Sequence, residues 1–349
     1  MTSILTSSVR AGALLGLLVP ALTAGCSASG TLFPPRDLVC PSGETPPCET
    51  TEPALPDSER RAEVAEGEMD GAFLIRGFRF AEVTGDEAPG FNLDGIDSGF
   101  GTLSENCEEE KVDYLGLRDP EQVGVDNAFA GLVPMIDASV AGIVAGDEDE
   151  DNDCVDAGGN PTTEGCLSQV VNAQVANGEV LLVLQVSGWN GTGDDDAIDV
   201  ALVLAETPDG GAPALDGSGL PAAGQRLRVS EPVGSPGQAD VFGGRLRFLP
   251  DFLPLELVFG GQPVPFTVLD PELRFDVEST ATENGVIGGA LASENIIQIA
   301  EELFDNNPTI PPAIDALSDL IPDAEDPQVC TRLSVGADIS VVPVSLEGS

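Results

Sequence analysis

Three stretches in the second half of the chain alternate apolar and charged residues with a period of two. Leu227 and Val229 alternate with Arg226 and Arg228, and Leu246 and Phe248 with Arg245 and Arg247. Leu273, Phe275 and Val277 alternate with Arg274, Asp276 and Glu278. Successive side chains of a strand point to opposite faces, so this pattern calls for antiparallel strands with one apolar and one solvated face. The turn Thr282-Glu283-Asn284-Gly285 leads into another strand, Val286–Leu291. After Cys330 a last one alternates Leu333, Val335, Ala337, Ile339 and Val341. Val180–Val186 is apolar on both faces and reads as a central strand. A long loop links it to Ile198–Leu204 as a hairpin. Near the start of the folded part, Phe73 and Ile75 alternate in one phase and Phe78 and Phe80 in the other. Gly77 sits at the switch, which predicts a bulge.

Helical patterns interrupt the strands. Asp126 is expected to cap a helix carrying Phe129, Leu132, Val133 and Ile136, with Pro134 kinking or shortening it. Leu167–Ala176 reads as a short helix stopped by Gly178. Ser293 is placed to cap a helix with Ile296, Ile297, Ala300, Leu303 and Phe304 on one face. Pro312 suits the first turn of another, with Ile314, Leu317, Leu320 and Ile321 inward. The fold class is mainly β with a few helices: an antiparallel β-sandwich or partly closed barrel with short packed helices. Residues 71–349 read as a single β-rich domain, and the Gly/Pro/Ala-rich stretch 206–224 is the place where it would subdivide.

Composition excludes whole classes of function. The chain carries 60 acidic and 14 basic residues, a formal net charge of −46. Such a surface repels phosphate backbones, so no nucleic-acid partner is expected, and it favours cations. Adaptation to high salt would give the same acid-rich, lysine-poor balance. Histidine is absent from the chain. Its absence removes Ser-His and Cys-His nucleophiles, His-ligated zinc and imidazole acid–base catalysis.

Residues 1–25 have the layout of a secretory signal peptide: Arg10, an apolar run over 11–24, then small residues. Leu22-Thr23-Ala24-Gly25-Cys26 resembles a bacterial lipobox. The resemblance implies that Cys26 becomes the acylated first residue of a lipoprotein, with the membrane as a partner through its lipid. Residues 26–70, rich in Pro, Ser, Thr, Glu and Gly, read as a lipid-anchored disordered tether. Its roughly 44 residues would span about 35–40 Å r.m.s.. Setting Cys26 aside leaves an even set of six cysteines, which fits disulfides in an oxidising compartment. The expected pairs are Cys40–Cys48, Cys154–Cys166 and Cys107–Cys330.

Calcium takes oxygen ligands from closely spaced loop residues. Asn92, Asp94 and Asp97 form one candidate set, joined by Asp126 and Asn127 if that helix start approaches the loop. The acidic run at 147–153 and the trio Asp194, Asp195 and Asp196 are two more. Calcium is the one candidate cofactor. The bland alternative is that these residues simply make turns. Arg226, Arg228, Arg245, Arg247 and Arg274 form a candidate anion-binding stripe for a protein or glycan partner, against cross-strand pairing with acids. Paired carboxylates beside Trp189 would instead suit an extracytoplasmic glycosidase-like hydrolase. The lipobox, the Pro-rich tether, Gly90–Asp97, Gly124-Val125-Asp126-Asn127 and the Cys330 strand together resemble bacterial cell-envelope lipoproteins of myxobacterial type. That resemblance implies an outer-membrane lipoprotein and no particular activity; the function expected of the chain is a binding or structural role, calcium-stabilised if one of the acid sets holds the ion.

Overall fold

The computed structural model describes residues 69–80, 87–94, 113–117, 123–144, 165–189, 194–259, 262–277, 282–303, 310–322 and 329–347. The leader, Cys26 and nearly all of the tether lie outside the described residues, as do Cys40, Cys48, Asp97, Cys107, the acidic run 147–153 and Cys154. In chain order the elements are β1 (Met69–Arg79), the short β2 (Glu87–Ala88) and β3 (Leu115–Gly116), a 3₁₀ turn (Ala128–Gly131), α1 (Val133–Val144) and α2 (Cys166–Asn177). There follow β4 (Leu181–Trp189), β5 (Asp195–Glu206), β6 (Arg226–Phe242), β7 (Arg245–Phe248), β8 (Phe252–Phe259), β9 (Gln262–Asp276) and β10 (Thr282–Ala292). The chain ends with α3 (Ser293–Leu303), α4 (Ile310–Leu317), β11 (Leu320–Pro322) and β12 (Cys330–Leu346).

Eight strands close into an antiparallel barrel in the order β1-β4-β5-β6-β7-β9-β10-β12, with β12 pairing back onto β1. β8 hangs on β9 as a hairpin, and β11 pairs with the first residues of β12. The last residues of β12 run parallel to the first of β6. The register of β1 on β12 shifts between Ile75 and Gly77, where the apolar phase of the sequence switches. Inside the barrel Phe73 and Phe275 meet edge to face at 5.4 Å. Leu182, Val183 and Leu184 of β4 are fully buried on both faces.

A second layer covers β1 from outside. α2 packs on it through polar side chains that complete strand edges. Asn172 accepts from Phe78 N–H at 2.7 Å and donates to its carbonyl at 3.0 Å, and Ser168 accepts from Phe80 N–H. Gln174 makes the same two-way bond to Val258 of β8, at 2.8 and 3.1 Å. These helix polar groups thus replace the missing next strand. The segment 207–224 joins the layer: Leu220 lies against Gly77, Arg76 bonds Ser340 and Asp216, and Gly224 N–H donates to Pro343 O.

Two expectations about helix ends are corrected. Asn127, not Asp126, caps the turn before α1, its side chain accepting from Ala130 N–H. Pro134 falls in the first turn of α1, where its missing N–H costs nothing. α2 starts from Gly165 without a side-chain cap of its own. Instead the buried Asp137 of α1 accepts from Leu167 N–H at 2.8 Å, putting a carboxylate at the positive end of α2. Gly178 ends α2 in the left-handed conformation, at φ 82°, as its sequence predicts.

Candidate functional site

The outward face of β7, β9, β10 and β12 carries the chemistry. Gly288 and Gly336 stand opposite one another on β10 and β12. They leave a floor without side chains, and residues 89–91 lie across it. A Cβ at Gly336 would fall 2.1 Å from Pro89 O, and one at Gly288 2.8 Å from the Phe91 ring. Glycine inside a strand marks such a close backbone approach. Phe91 extends from there over Arg274, whose guanidinium carbon lies 4.7 Å from the ring centroid.

Asn127 fastens this segment. Its amide donates to Pro89 O at 2.7 Å and Gly336 O at 3.3 Å, while its oxygen accepts from Gly336 N–H at 3.1 Å and Ala130 N–H at 3.3 Å. With both ends of the side chain engaged and buried, Asn127 serves as a staple and not as a calcium ligand. Beside it Ser334 Oγ accepts from Ala128 N–H and donates to Asp319, which also accepts from Ser334 N–H.

Asp126 is brought to the first loop, as one of the candidate ligand sets requires. Its N–H donates to Phe91 O at 3.0 Å. Its side chain is 2% exposed. Oδ2 accepts from Leu93 N–H at 2.6 Å and Asp94 N–H at 3.4 Å, while Oδ1 is buried with no hydrogen-bond partner. An unmet buried polar atom costs on the order of 1–3 kcal/mol. Burial first, then the charges of Asp94, Asp113 and Asp319, raise the Asp126 carboxyl well above its ordinary 3.8, against the lowering pull of Leu93 N–H. The neighbouring Tyr114 phenol is raised by burial, Asp319 and Asp113. Folding therefore favours the protonated Asp126. That contribution is complete below pH 3.8 and is lost as pH rises through the higher folded value. In chelator, urea midpoints of the native chain should fall relative to Asp126→Asn over that rise. Parallel curves for the two proteins would refute the raised carboxyl.

The remaining candidates do not converge there. Asp194 is exposed and accepts from Gly243 N–H at 2.7 Å, bracing the β6–β7 turn. Asp195 begins β5, and the side chain of Asp196 lies outside the described residues. Among the described residues no three acidic side chains stand close enough together to hold a metal by themselves. The arginines form no open stripe either. Arg226 and Arg228 lie at the start of β6, far along the strand from the β7 contact, where Arg228 pairs with Glu206 on the surface. Arg245 pairs with Asp276 at 3.1 Å. Arg247 and Arg274, both buried, share Glu272 Oε1 at 3.0 and 2.6 Å. Pairing with acids, across strands for Arg245 and Arg247 and along β9 for Arg274, accounts for these three.

No residue pattern points to the second feature, a cavity where the end of β1, the β8–β9 hairpin and the helices α1–α4 meet. Phe80, Phe129, Met135, Leu167, Phe266 and Ile296 are among its walls, and every lining residue among the described ones is apolar. Its volume is about 80 Å³, several times what one water needs. A smaller apolar space, sharing the walls Phe78, Phe80, Leu255 and Phe266, lies toward Ile287 and Ala337. Trp189 lies elsewhere, paired with Met69 at the other end of β1 from Phe78. Comparison with protein-family models, curated proteins and solved structures finds no match.

Proposed function

We propose that this protein is a cell-envelope lipoprotein, anchored through Cys26, whose barrel domain binds an apolar molecule in the cavity beneath its helices. The wholly apolar lining carries the reading. A dry hydrocarbon cavity takes apolar ligands and offers no hydrogen bond to orient a polar one. The ligand class is a small hydrocarbon or the end of an acyl chain. Cys166 and Cys330 are buried half-cystines, which supports an oxidising compartment. The hydrolase alternative gains no support, because no acid is among the described residues that wall the cavity, which lies away from Trp189.

Burying five to ten methylenes at roughly 0.8 kcal/mol each gives about 4–8 kcal/mol, a Kd between about 1 mM and 1 µM. A leaderless Cys26→Ser chain should therefore bind a fluorescent fatty acid in that range, displaced by unlabelled palmitate. Ala300→Phe, filling the space, should abolish binding while the protein still melts cooperatively. Binding that survives Ala300→Phe, or no binding at millimolar ligand, would sink the proposal.

A further inference from the structure

The Asp126 carboxylate has two demands that the protein alone does not reconcile. Two backbone N–H groups converge on Oδ2, a pattern that favours the ionised form. Oδ1 is buried without a partner, and Asp94, Asp113 and Asp319 surround the group with negative charge. Four separate segments bring these acids together. Asp94 follows the Phe91 bridge to Asp126, Asp113 precedes the Tyr114 bridge to Val125, and Asp319 is fixed by Ser334. An ordinary solvated acidic loop would leave its oxygens in water. This one is closed over a glycine floor and stapled by Asn127.

We infer that Asp126 is the central ligand of a calcium site, its buried Oδ1 facing the ion and Asp94 and Asp113 completing the charged part of the shell. Asp319, with both oxygens taking hydrogen bonds from Ser334, acts from the second layer by its charge. Because no three acids among the described residues already enclose an ion, binding turns the half-exposed Asp94 and Asp113 inward. Backbone carbonyls and water supply the other oxygens. Calcium tolerates such a mixed, irregular shell, whereas magnesium demands a near-ideal octahedron. The ion would lock residues 87–94, 113–117 and 123–127 onto β12. Neither Asp126, Asp94 nor Asp113 lines the apolar cavity, and the test of the site is independent of ligand binding there.

The test uses the leaderless Cys26→Ser chain, which keeps every residue of the site. Millimolar calcium should raise Tm by about 2–8 °C over the chelated protein, with a smaller shift for magnesium. Asp126→Asn should lose the calcium shift while melting in chelator at or above the native temperature, because it sheds a buried charge. Terbium supplies a local readout. Tyr114 is the chain's one tyrosine, so tyrosine-sensitised terbium emission should appear in the native protein and vanish in Asp126→Asn. It should fall in Tyr114→Phe, which keeps the calcium Tm shift. A native protein whose Tm ignores millimolar calcium overturns the inference and leaves Asp126 a protonated acid. So does an Asp126→Asn variant that retains the full shift.

Discussion

Gly336→Ala is expected to destabilise the barrel by about 3–5 kcal/mol. The added methyl would sit 2.1 Å from Pro89 O and 2.8 Å from both Pro89 C and Gly90 Cα. These are backbone atoms, so no rotamer change relieves the clash. Overpacking of this kind costs on the order of 1–3 kcal/mol by itself. Lifting residues 89–91 off β12 would also break the bond of Asn127 to Pro89, at about 1 kcal/mol, and take Phe91 off Arg274. For a domain of this size the change should appear as a fall in Tm of roughly 6–15 °C. Gly217→Ala is the matched control. No atom lies within 4 Å of its added Cβ and its φ is not positive, so its effect should stay within about 0.5 kcal/mol. Equal melting of the two variants would show that residues 89–91 do not rest on the strand.

That contrast also locates what the sequence could tell. β4 was legible because a run apolar on both faces has few alternatives to a central strand. The β1 bulge was legible because a phase change needs an extra residue. The arginine strands were half legible. Alternation correctly sorted Leu246, Phe248, Leu273 and Phe275 inward and Arg245, Arg247 and Arg274 outward, yet Arg247 and Arg274 are buried. A local pattern reports which residues share a face. It cannot report that a segment more than 150 positions earlier covers that face. The available signal was the interior glycines Gly288 and Gly336, which have no local reason to sit in strong strands. Asp126 was half legible too. Its approach to the loop around Asp94 is the condition that the spacing of these acids sets for binding calcium there. The cap, however, belongs to the next residue, because Asn127 offers a donor as well as an acceptor and can fasten three backbones at once. The cavity left no trace in the sequence. Each element contributes an ordinary apolar stripe, and residues beside a void look the same as residues in a filled core.

Glu272→Leu is the second substitution with a large expected effect, and its size follows from what the glutamate separates. Arg247 and Arg274 stand directly opposite in the β7–β9 register, each donating Nε–H to Glu272 Oε1. All three side chains are at most 9% exposed. Burial, and the charges of Arg247 and Arg245, push Arg274 below its usual value, while Glu272 holds it up. Arginine cannot escape by losing its proton at neutral pH. Without Glu272 two like charges face one another in a poorly solvated layer under Phe91, at a cost of about 3–5 kcal/mol. Arg274→Leu should cost less, because Glu272 keeps Arg247. Replacing all three by leucine should recover most of the loss, since removing the whole set also removes its desolvation penalty. The diagnostic is the order of urea midpoints: Glu272→Leu lowest, Arg274→Leu between, the triple variant nearest native. Added salt should leave that order unchanged, because buried pairs are weakly screened. A triple variant less stable than Glu272→Leu would mean that the arginine stems, rather than the charges, hold Phe91 against the wall.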